Sequence, residues 1–142
     1  MTRRSILTLA AFVALALATA ACGGSTSTPT TPSPAAPTTT ETFTGTVLQN
    51  GGNINTFTVA QAGQVTATLT SVAPLSTLAL GFILGSYDGT NCNPGYEDDN
   101  ARQGDVLSGT TSATGTFCVR VFDVGNIAAN STVTYTVTVA HP

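Results

Sequence analysis

The sequence predicts an all-β protein, an antiparallel β-sandwich of about seven strands, preceded by a signal peptide and a disordered Thr/Pro-rich linker. Three observations support this prediction. Apolar and polar residues alternate with a period of two over most of residues 42–139, which is typical of strands buried on one face. Turn-forming residues such as Asn and Gly separate the alternating runs. No part of this region has the three-to-four-residue apolar spacing of an amphipathic helix.

Residues 1–21 have the composition of a lipoprotein signal peptide. Arg3 and Arg4 form a positively charged start, and the apolar run from Ile6 to Ala18 is too short to span a bilayer, which needs about 20 apolar residues. The small residues 19–21 then lead to Cys22. This segment resembles the lipobox of bacterial lipoproteins, in which the cysteine becomes a lipidated N-terminus.

The lipobox resemblance implies that the mature protein begins at a lipidated Cys22. Two or three acyl chains on one cysteine are enough for stable anchoring, so the predicted location is extracytoplasmic, on a membrane of the cell envelope. Gly23, rather than an aspartate, follows the cysteine, which favours the outer membrane if the cell has one. The alternative is an ordinary secretory signal followed by an unrelated cysteine.

Residues 22–41 are predicted to be the lipidated cysteine and a disordered linker. Four prolines, at positions 29, 32, 34 and 37, interrupt any helix and cannot donate hydrogen bonds to a sheet. The threonines and serines between them offer little apolar surface to offset the entropic cost of ordering. We therefore expect a solvated tether, followed by one folded domain over residues 42–142.

The domain is predicted to contain seven strands. They are residues 42–48, 54–60, 64–73, 78–84, 105–110, 117–122 and 131–139. The run 78–84 is apolar on both sides, as expected of a central strand. In the last run, valines and Tyr135 alternate with threonines, so we expect Tyr135 in the core.

The charge distribution excludes nucleic acid as a partner. The chain has four basic side chains, all arginine, and one histidine, whereas a nucleic-acid binder needs a basic surface that displaces counterions from phosphates. Without residues 1–21, two arginines stand against seven acidic residues, a net charge of −5. Such a surface is repelled by anionic headgroups, so we expect membrane contact through the lipid anchor.

Two cysteines remain if Cys22 is lipidated. Cys92 lies in a predicted loop and Cys118 on a predicted strand. An even number of cysteines in an exported domain predicts a disulfide. The alternative is a nucleophilic cysteine, which would need a base such as histidine, and His141 stands at what we expect to be a frayed C-terminus.

The segment from Tyr87 to Asp105 is predicted to be a loop rich in acidic residues. Its candidate calcium ligands are Asp88, Glu97, Asp98, Asp99 and Asp105. Calcium takes about six to eight oxygen ligands, and this loop offers many carboxylate and amide oxygens, although their spacing differs from that of the EF-hand loop. The alternative is a solvated acidic loop without an ion. Apart from calcium, we expect no cofactor.

A pair of carboxylates is the remaining route to catalysis. Glycoside hydrolases hold two acids roughly 5–10 Å apart across a cleft, and Glu97 with Asp105 or Asp123 is a candidate pair. The sequence contains no nucleophile elbow, zinc-protease motif or phosphate-binding glycine motif. We therefore expect a protein without enzymatic activity.

Tyr87 and Tyr96 are the candidate binding residues. Sugar-binding β-sandwiches stack pyranose rings on exposed aromatic side chains, and neighbouring carboxylates bind the sugar hydroxyls. We expect Tyr87 to cover the core at a strand end and Tyr96 to be exposed, so Tyr96 is the stronger candidate.

Two stretches of the chain resemble the bacterial pre-peptidase C-terminal (PPC) domain. Residues 115–121 (GTFCVRV) and 135–139 (YTVTV) have the glycine, aromatic, valine-rich strand and final Tyr-x-x-x-Val strand of that family. Residues 55–59 (NTFTV) and 63–66 (GQVT) are similar to its opening strands. The resemblance covers residues 55–139.

The PPC resemblance implies a β-sandwich without catalytic activity. In that family the domain accompanies secreted proteases and is implicated in binding substrate or matrix. The sequence therefore predicts a membrane-anchored, extracytoplasmic module that recognises a protein or a polysaccharide. The alternative is a structural accessory subunit of a cell-envelope complex.

Overall fold

The structure, a computed structural model, describes residues 38–142 as two antiparallel four-stranded sheets that face each other. The predictions for residues 1–37, which cover the signal peptide, the lipidated Cys22 and most of the linker, lie outside the described residues. The strands are β1 (Thr39–Leu48), β2 (Gly52–Val59), β3 (Gly63–Ala73), β4 (Leu80–Tyr87), β5 (Cys92–Ala101), β6 (Val106–Thr111), β7 (Gly115–Phe122) and β8 (Thr132–His141). The predicted β-sandwich is confirmed, with eight strands instead of about seven.

Successive strands mostly alternate between the two sheets. The β8 sheet has the order β1-β8-β3-β6, and the β4 sheet has the order β2-β7-β4-β5. Among the described strands, only β4 and β5 follow each other in the chain and also pair. The turn at Asn50, whose φ is 56°, therefore carries the chain from one sheet to the other. Over residues 38–142 there is no helix with the length and apolar character needed to cross a membrane.

The period-two alternation places one face of each strand in the core between the sheets. In β8, Val133, Tyr135, Val137 and Val139 are buried, while the threonines between them face outward. The predicted core position of Tyr135 is confirmed. Each fully buried side chain of this size contributes about 1.5–3 kcal/mol to folding, so the alternation as a whole drives the two sheets together.

β4 is buried on both faces, as the sequence predicts for a central strand. Its inner side chains are Leu80, Phe82 and Leu84, which belong to the core between the sheets. On its outer face, Ile83 packs with the two cysteines and with Tyr87 and Phe122 in a second, smaller cluster. The β4 sheet therefore has apolar cover on both sides, from the core between the sheets on its inner side and from this outer cluster on the other.

Glycine at position 81 makes room for the Phe122 ring in the outer cluster. The Phe122 ring of β7 lies against Gly81 of β4, and any side chain at position 81 would collide with the ring. The Arg120 guanidinium carbon lies 4.8 Å from the centroid of the same ring, a distance at which a cation is attracted to the aromatic face. The cluster is therefore bordered by a charge that remains in contact with solvent.

The prediction of a loop over residues 87–105 is wrong for most of its length, because residues 92–101 form β5. Asn, Asp, Pro and Gly are depleted in strands, and β5 contains all four. Pairing with the fully buried β4 overrides these preferences. The register with β4 shifts twice, and glycine at position 85 lets the β5 backbone approach, since a side chain there would collide with the Asn93 carbonyl.

The predicted disulfide is confirmed. Cys92 and Cys118 are joined with a Cα–Cα distance of 5.7 Å and a sequence separation of 26 residues. Cys92 starts β5 and Cys118 lies on β7, two strands that flank β4 without pairing with each other. The bond therefore fixes the first residue of an edge strand to the interior of the sheet.

The two sheets are also joined by a hydrogen bond. The Asn55 side-chain amide of β2 donates to the Tyr135 hydroxyl of β8 over 2.9 Å. Glycine at position 45 leaves space for the Tyr135 ring, because a Cβ there would lie 2.5 Å from the tyrosine hydroxyl. Tyr135 thus fills the core and satisfies its hydroxyl at the same time.

The expectation of a frayed C-terminus is wrong, because β8 is paired on both sides and His141 is buried. The His141 Nε2 atom lies 3.0 Å from the Glu41 Oε1 atom, and its ring packs on Phe57 with the ring centroids 5.1 Å apart. Pairing with this end of β8 also extends β1, which begins at Thr39. The strand therefore starts three residues before the predicted domain boundary at residue 42.

We expect replacement of both disulfide cysteines by alanine to lower the free energy of unfolding by about 3 kcal/mol, since a bond across 26 residues restricts the unfolded chain. Urea denaturation of the wild type and the Cys92→Ala/Cys118→Ala variant measures the difference. A reductant should lower the midpoint of the wild type and leave the variant unchanged. Equal urea midpoints for the wild type and the variant, both measured without reductant, would contradict this prediction.

Candidate functional site

Tyr96 is the exposed aromatic residue that the sequence analysis singled out, and the structure places it on edge strand β5 with 49% of its surface exposed. It pairs with Leu84 of β4, so its side chain points towards the β8 sheet. The ring lies directly on Gly109 of β6, where any side chain would collide with it. Tyr96 therefore bridges the two edge strands, β5 and β6, at one open side of the sandwich.

An apolar cleft lies next to the Tyr96 ring, between β5 and β6. Its apolar wall includes Val65, Leu84, Pro94, Tyr96, Gly109 and Phe117. Its polar rim consists of Ser86, Asn93, Thr110 and Thr111. The volume is about 220 Å³, and we refer to this feature as the Tyr96 cleft.

Tyr87 lies on the other face of the β4 sheet and does not contribute to the Tyr96 cleft. Its ring packs against the outer cluster of Ile83 and the disulfide, as expected of a residue that covers a core. Its hydroxyl donates to the Gly89 carbonyl over 3.0 Å. The structure therefore separates the two tyrosines, and Tyr96 is the more exposed of the two.

Asp88 organises the turn between β4 and β5. Its Oδ1 atom accepts hydrogen bonds from the backbone N–H groups of Thr90 and Asn91 at 2.9 and 2.7 Å, and its Oδ2 atom accepts one from the Asn93 amide at 3.1 Å. The Asn91 and Thr90 N–H groups, followed by the Asn93 amide, lower the pKa of Asp88 from 3.8 to about 2. These contacts explain Asp88 as a turn residue.

The other four candidate calcium ligands are spread over β5 and the turn that follows it. Glu97 and Asp99 are exposed, Asp98 accepts a hydrogen bond from the Asn100 N–H at 2.8 Å, and Asp105 accepts one from the Arg102 N–H at 2.8 Å. Within residues 38–142, no three Asp, Glu, His or Cys side chains come together as a metal site would require. The structure thus does not gather the five predicted ligands at one point.

Asp123, the third candidate in the hydrolase pairs, caps the loop between β7 and β8. Its carboxylate accepts backbone N–H groups from Asn50 at 2.8 Å and from residues 125, 126 and 127 at 2.9–3.0 Å. Partial burial raises the pKa of Asp123, but these four donors outweigh it and the net effect lowers the pKa. A carboxylate held in this way ties two loops together.

Sequence reasoning missed most of the cleft wall because its members come from β3, β4, β5, β6 and β7. The sequence does carry a signal for Pro94 and Gly109, since proline and glycine inside a strand pattern indicate an edge, a bulge or a close approach. Tyr96 was found because it stands among polar residues. The arrangement has an apolar pocket, two aromatic rings in its wall and hydrogen-bonding groups at its rim, which suits noncovalent binding.

The chain matches no model of a known protein family, and a search of curated proteins finds no match.

We expect the free energy of unfolding to fall as the pH drops from about 4 towards 2. The folded state stabilises the charged carboxylate of Asp88, whose pKa is lowered to about 2. Stability from a lowered pKa is present above the unfolded-state value of 3.8 and is lost below it. Melting temperatures measured between pH 5 and 2 should fall less steeply for Asp88→Asn than for the wild type.

Asp99→Asn provides the matched control for Asp88→Asn, since Asp99 is exposed and accepts no hydrogen bond in the described part of the chain. Its melting profile should follow that of the wild type. An Asp88→Asn profile as steep as the wild type would contradict the assignment of this turn.

Proposed function

We propose that this protein is a lipid-anchored, non-catalytic module of the cell envelope that recognises a protein or a polysaccharide outside the membrane through the Tyr96 cleft. The observation that carries this proposal is the exposed Tyr96 ring beside an apolar cleft of about 220 Å³. Exposed aromatic side chains next to a pocket are the usual anchors of binding surfaces.

The rigidity of its surroundings supports the cleft as a binding site. The disulfide fixes the start of β5, the Asp88 turn fixes the preceding residues, and β4 underneath is buried on both faces. A site whose wall is already ordered does not lose much conformational entropy when it binds. These contacts favour a preformed site over a surface that must rearrange.

The residues of the cleft support binding rather than catalysis. Its wall and rim contain no acidic, basic or cysteine side chain among the described lining residues, so a bound ligand meets apolar surface and hydroxyl or amide groups. The resemblance to the PPC domain, which lacks catalytic activity, points to the same role. The proposed function requires no cofactor.

The lipobox resemblance and the acidic charge of the domain support the anchoring part of the proposal. With a net charge of −5 from seven acidic residues and two arginines, residues 38–142 are repelled by anionic headgroups, so a lipid on Cys22 is the contact with the membrane. The Thr/Pro-rich segment would then hold the sandwich away from the bilayer.

We expect Tyr96→Ala to weaken ligand binding by about tenfold or more, because truncation of a central aromatic anchor removes most of the contact area. Glycan and peptide arrays probed with the full-length protein identify a ligand, and the same ligand is then titrated against the variant. The free energy of unfolding should change by about 1 kcal/mol or less, since Tyr96 is half exposed.

Leu48→Ala is the matched control, because Leu48 is an apolar residue with 58% of its surface exposed and lies outside the cleft. It should bind like the wild type. Equal binding by Tyr96→Ala and the wild type would remove the cleft as the site. Failure of both arrays, together with stoichiometric copurification of one envelope protein, would favour the alternative of a structural accessory subunit.

We expect the mature protein to carry fatty acyl groups on Cys22 and to sediment with membranes. Mass spectrometry of its N-terminal peptide detects these groups, and Cys22→Ala should move the protein to the soluble fraction because the anchor is lost. An unmodified cysteine in a mature N-terminal peptide would contradict the anchor.

A further inference from the structure

The edge strand β6 lacks the features that keep the neighbouring edge strand β5 from pairing with another chain. β6 pairs only with β3 among the described strands, and its six residues, VLSGTT, include no charge and no proline. β5 carries Pro94, the acidic run 97–99 and two register shifts. Charges, proline and bulges are the features with which proteins protect an edge strand from pairing with another chain, so of the two edges beside the Tyr96 cleft the edge of β6 is the unprotected one.

The Tyr96 cleft borders the second half of this strand, because residues 109–111 of β6 form part of its lining. A peptide that paired with β6 would continue the β8 sheet by one strand. Alternate side chains of a strand point to the same face, and on the inner face they would enter the cleft beside Tyr96. One surface therefore offers backbone pairing and a side-chain pocket together, which is the arrangement of strand addition.

The size of the cleft favours a peptide over a polysaccharide. Pockets that enclose a whole small molecule measure about 300–1,000 Å³, whereas a cavity of about 150 Å³ is enough to hold a benzene ring. At about 220 Å³, the Tyr96 cleft has room for one aromatic or branched aliphatic side chain. A row of sugar rings would extend beyond it onto strand edges that are suited to a peptide backbone.

Asp98 adds a charge preference to the same face. Asp98 pairs with Phe82, and Tyr96 pairs with Leu84. Both β4 partners point into the core between the sheets. Tyr96 and Asp98, two residues apart on β5, therefore point to the same side. Asp98 is half-buried, and one of its oxygens accepts the Asn100 N–H, which leaves the other for a ligand. The surrounding domain has a net charge of −5. A basic side chain complements this position.

We propose that the open edge of β6 binds an extended peptide as a fifth strand of the β8 sheet, with one apolar side chain in the Tyr96 cleft and a lysine or arginine two residues along against Asp98. This inference rests on the proposed function and names its ligand class. Backbone pairing with β6 supplies general affinity, and the apolar and basic side chains select the peptide.

The probe is a fluorescein-labelled heptapeptide of threonines with phenylalanine at its third and lysine at its fifth position. Fluorescence anisotropy with the full-length protein in mild detergent measures its affinity. We expect binding that Tyr96→Ala weakens by about tenfold and that Asp98→Asn weakens by about fivefold at low salt. Asp99→Asn removes the same charge from an adjacent residue and should leave the affinity unchanged.

Two further measurements test the backbone pairing itself. A peptide with the same side chains and an N-methyl group on every backbone amide has no N–H group to donate to β6 from either edge, so it should not bind. Hydrogen–deuterium exchange of residues 106–111 should slow when the unmethylated peptide is added, because their free amides become bonded. Binding of the methylated peptide, or binding without protection of β6, would overturn the proposal.

The remaining outcomes separate this proposal from the proposed function. Tyr96-dependent binding of an N-acetylglucosamine oligosaccharide, with no binding of the heptapeptide, would overturn strand addition and leave the recognition function standing. A concentration-dependent dimer that protects residues 106–111 without peptide would assign the edge to a second copy of the chain. Binding of neither probe nor any array ligand would overturn both proposals.

Discussion

Burial of β4 on both faces is the constraint from which the arrangement of the β4 sheet follows. Leu80, Phe82 and Leu84 fill the core between the sheets, and Ile83 on the opposite face needs apolar cover of its own. The disulfide and Phe122 supply that cover. An apolar strand of this kind must also be paired along both edges, since its polar backbone would otherwise be buried without partners. β7 occupies one edge and β5 the other.

The candidate site is a consequence of how β5 meets that requirement. A strand made of Asn, Pro, Gly and acidic residues pairs with β4 only with register shifts, and it leaves space beside β6 that its own side chains do not fill. Tyr96 closes one end of this space by lying on Gly109. The cleft thus lies at the junction of two edge strands. The buried strand β4 underneath it preserves the shape of the cleft. The candidate site therefore lies where the regular packing of the sandwich ends.

Much of the fold could be predicted from the sequence, because alternation reports burial directly. Alternation in the last strand predicts that the valines of β8 are buried, and the apolar residues on both sides of β4 predict a central strand. The even number of cysteines in the domain predicts the disulfide. The site was only partly predictable. Tyr96 could be singled out as an aromatic residue among polar ones. Asp88, a candidate calcium ligand, and Asp123, a candidate carboxylate of a hydrolase pair, are turn residues, because their backbone donors depend on the path of the chain.

The sequence by itself determined that the chain forms a sandwich of threonine- and valine-rich strands, with the valines and Tyr135 of the last strand inside. It could not determine which strand lies next to which, because alternation describes one strand and says nothing of its neighbours. Only the tertiary structure turned residues 92–101 into a strand, separated Tyr87 from Tyr96 on opposite faces, and buried His141 beside Glu41. The physical reason is that pairing and packing with distant residues outweigh local preference wherever the local preference is weak.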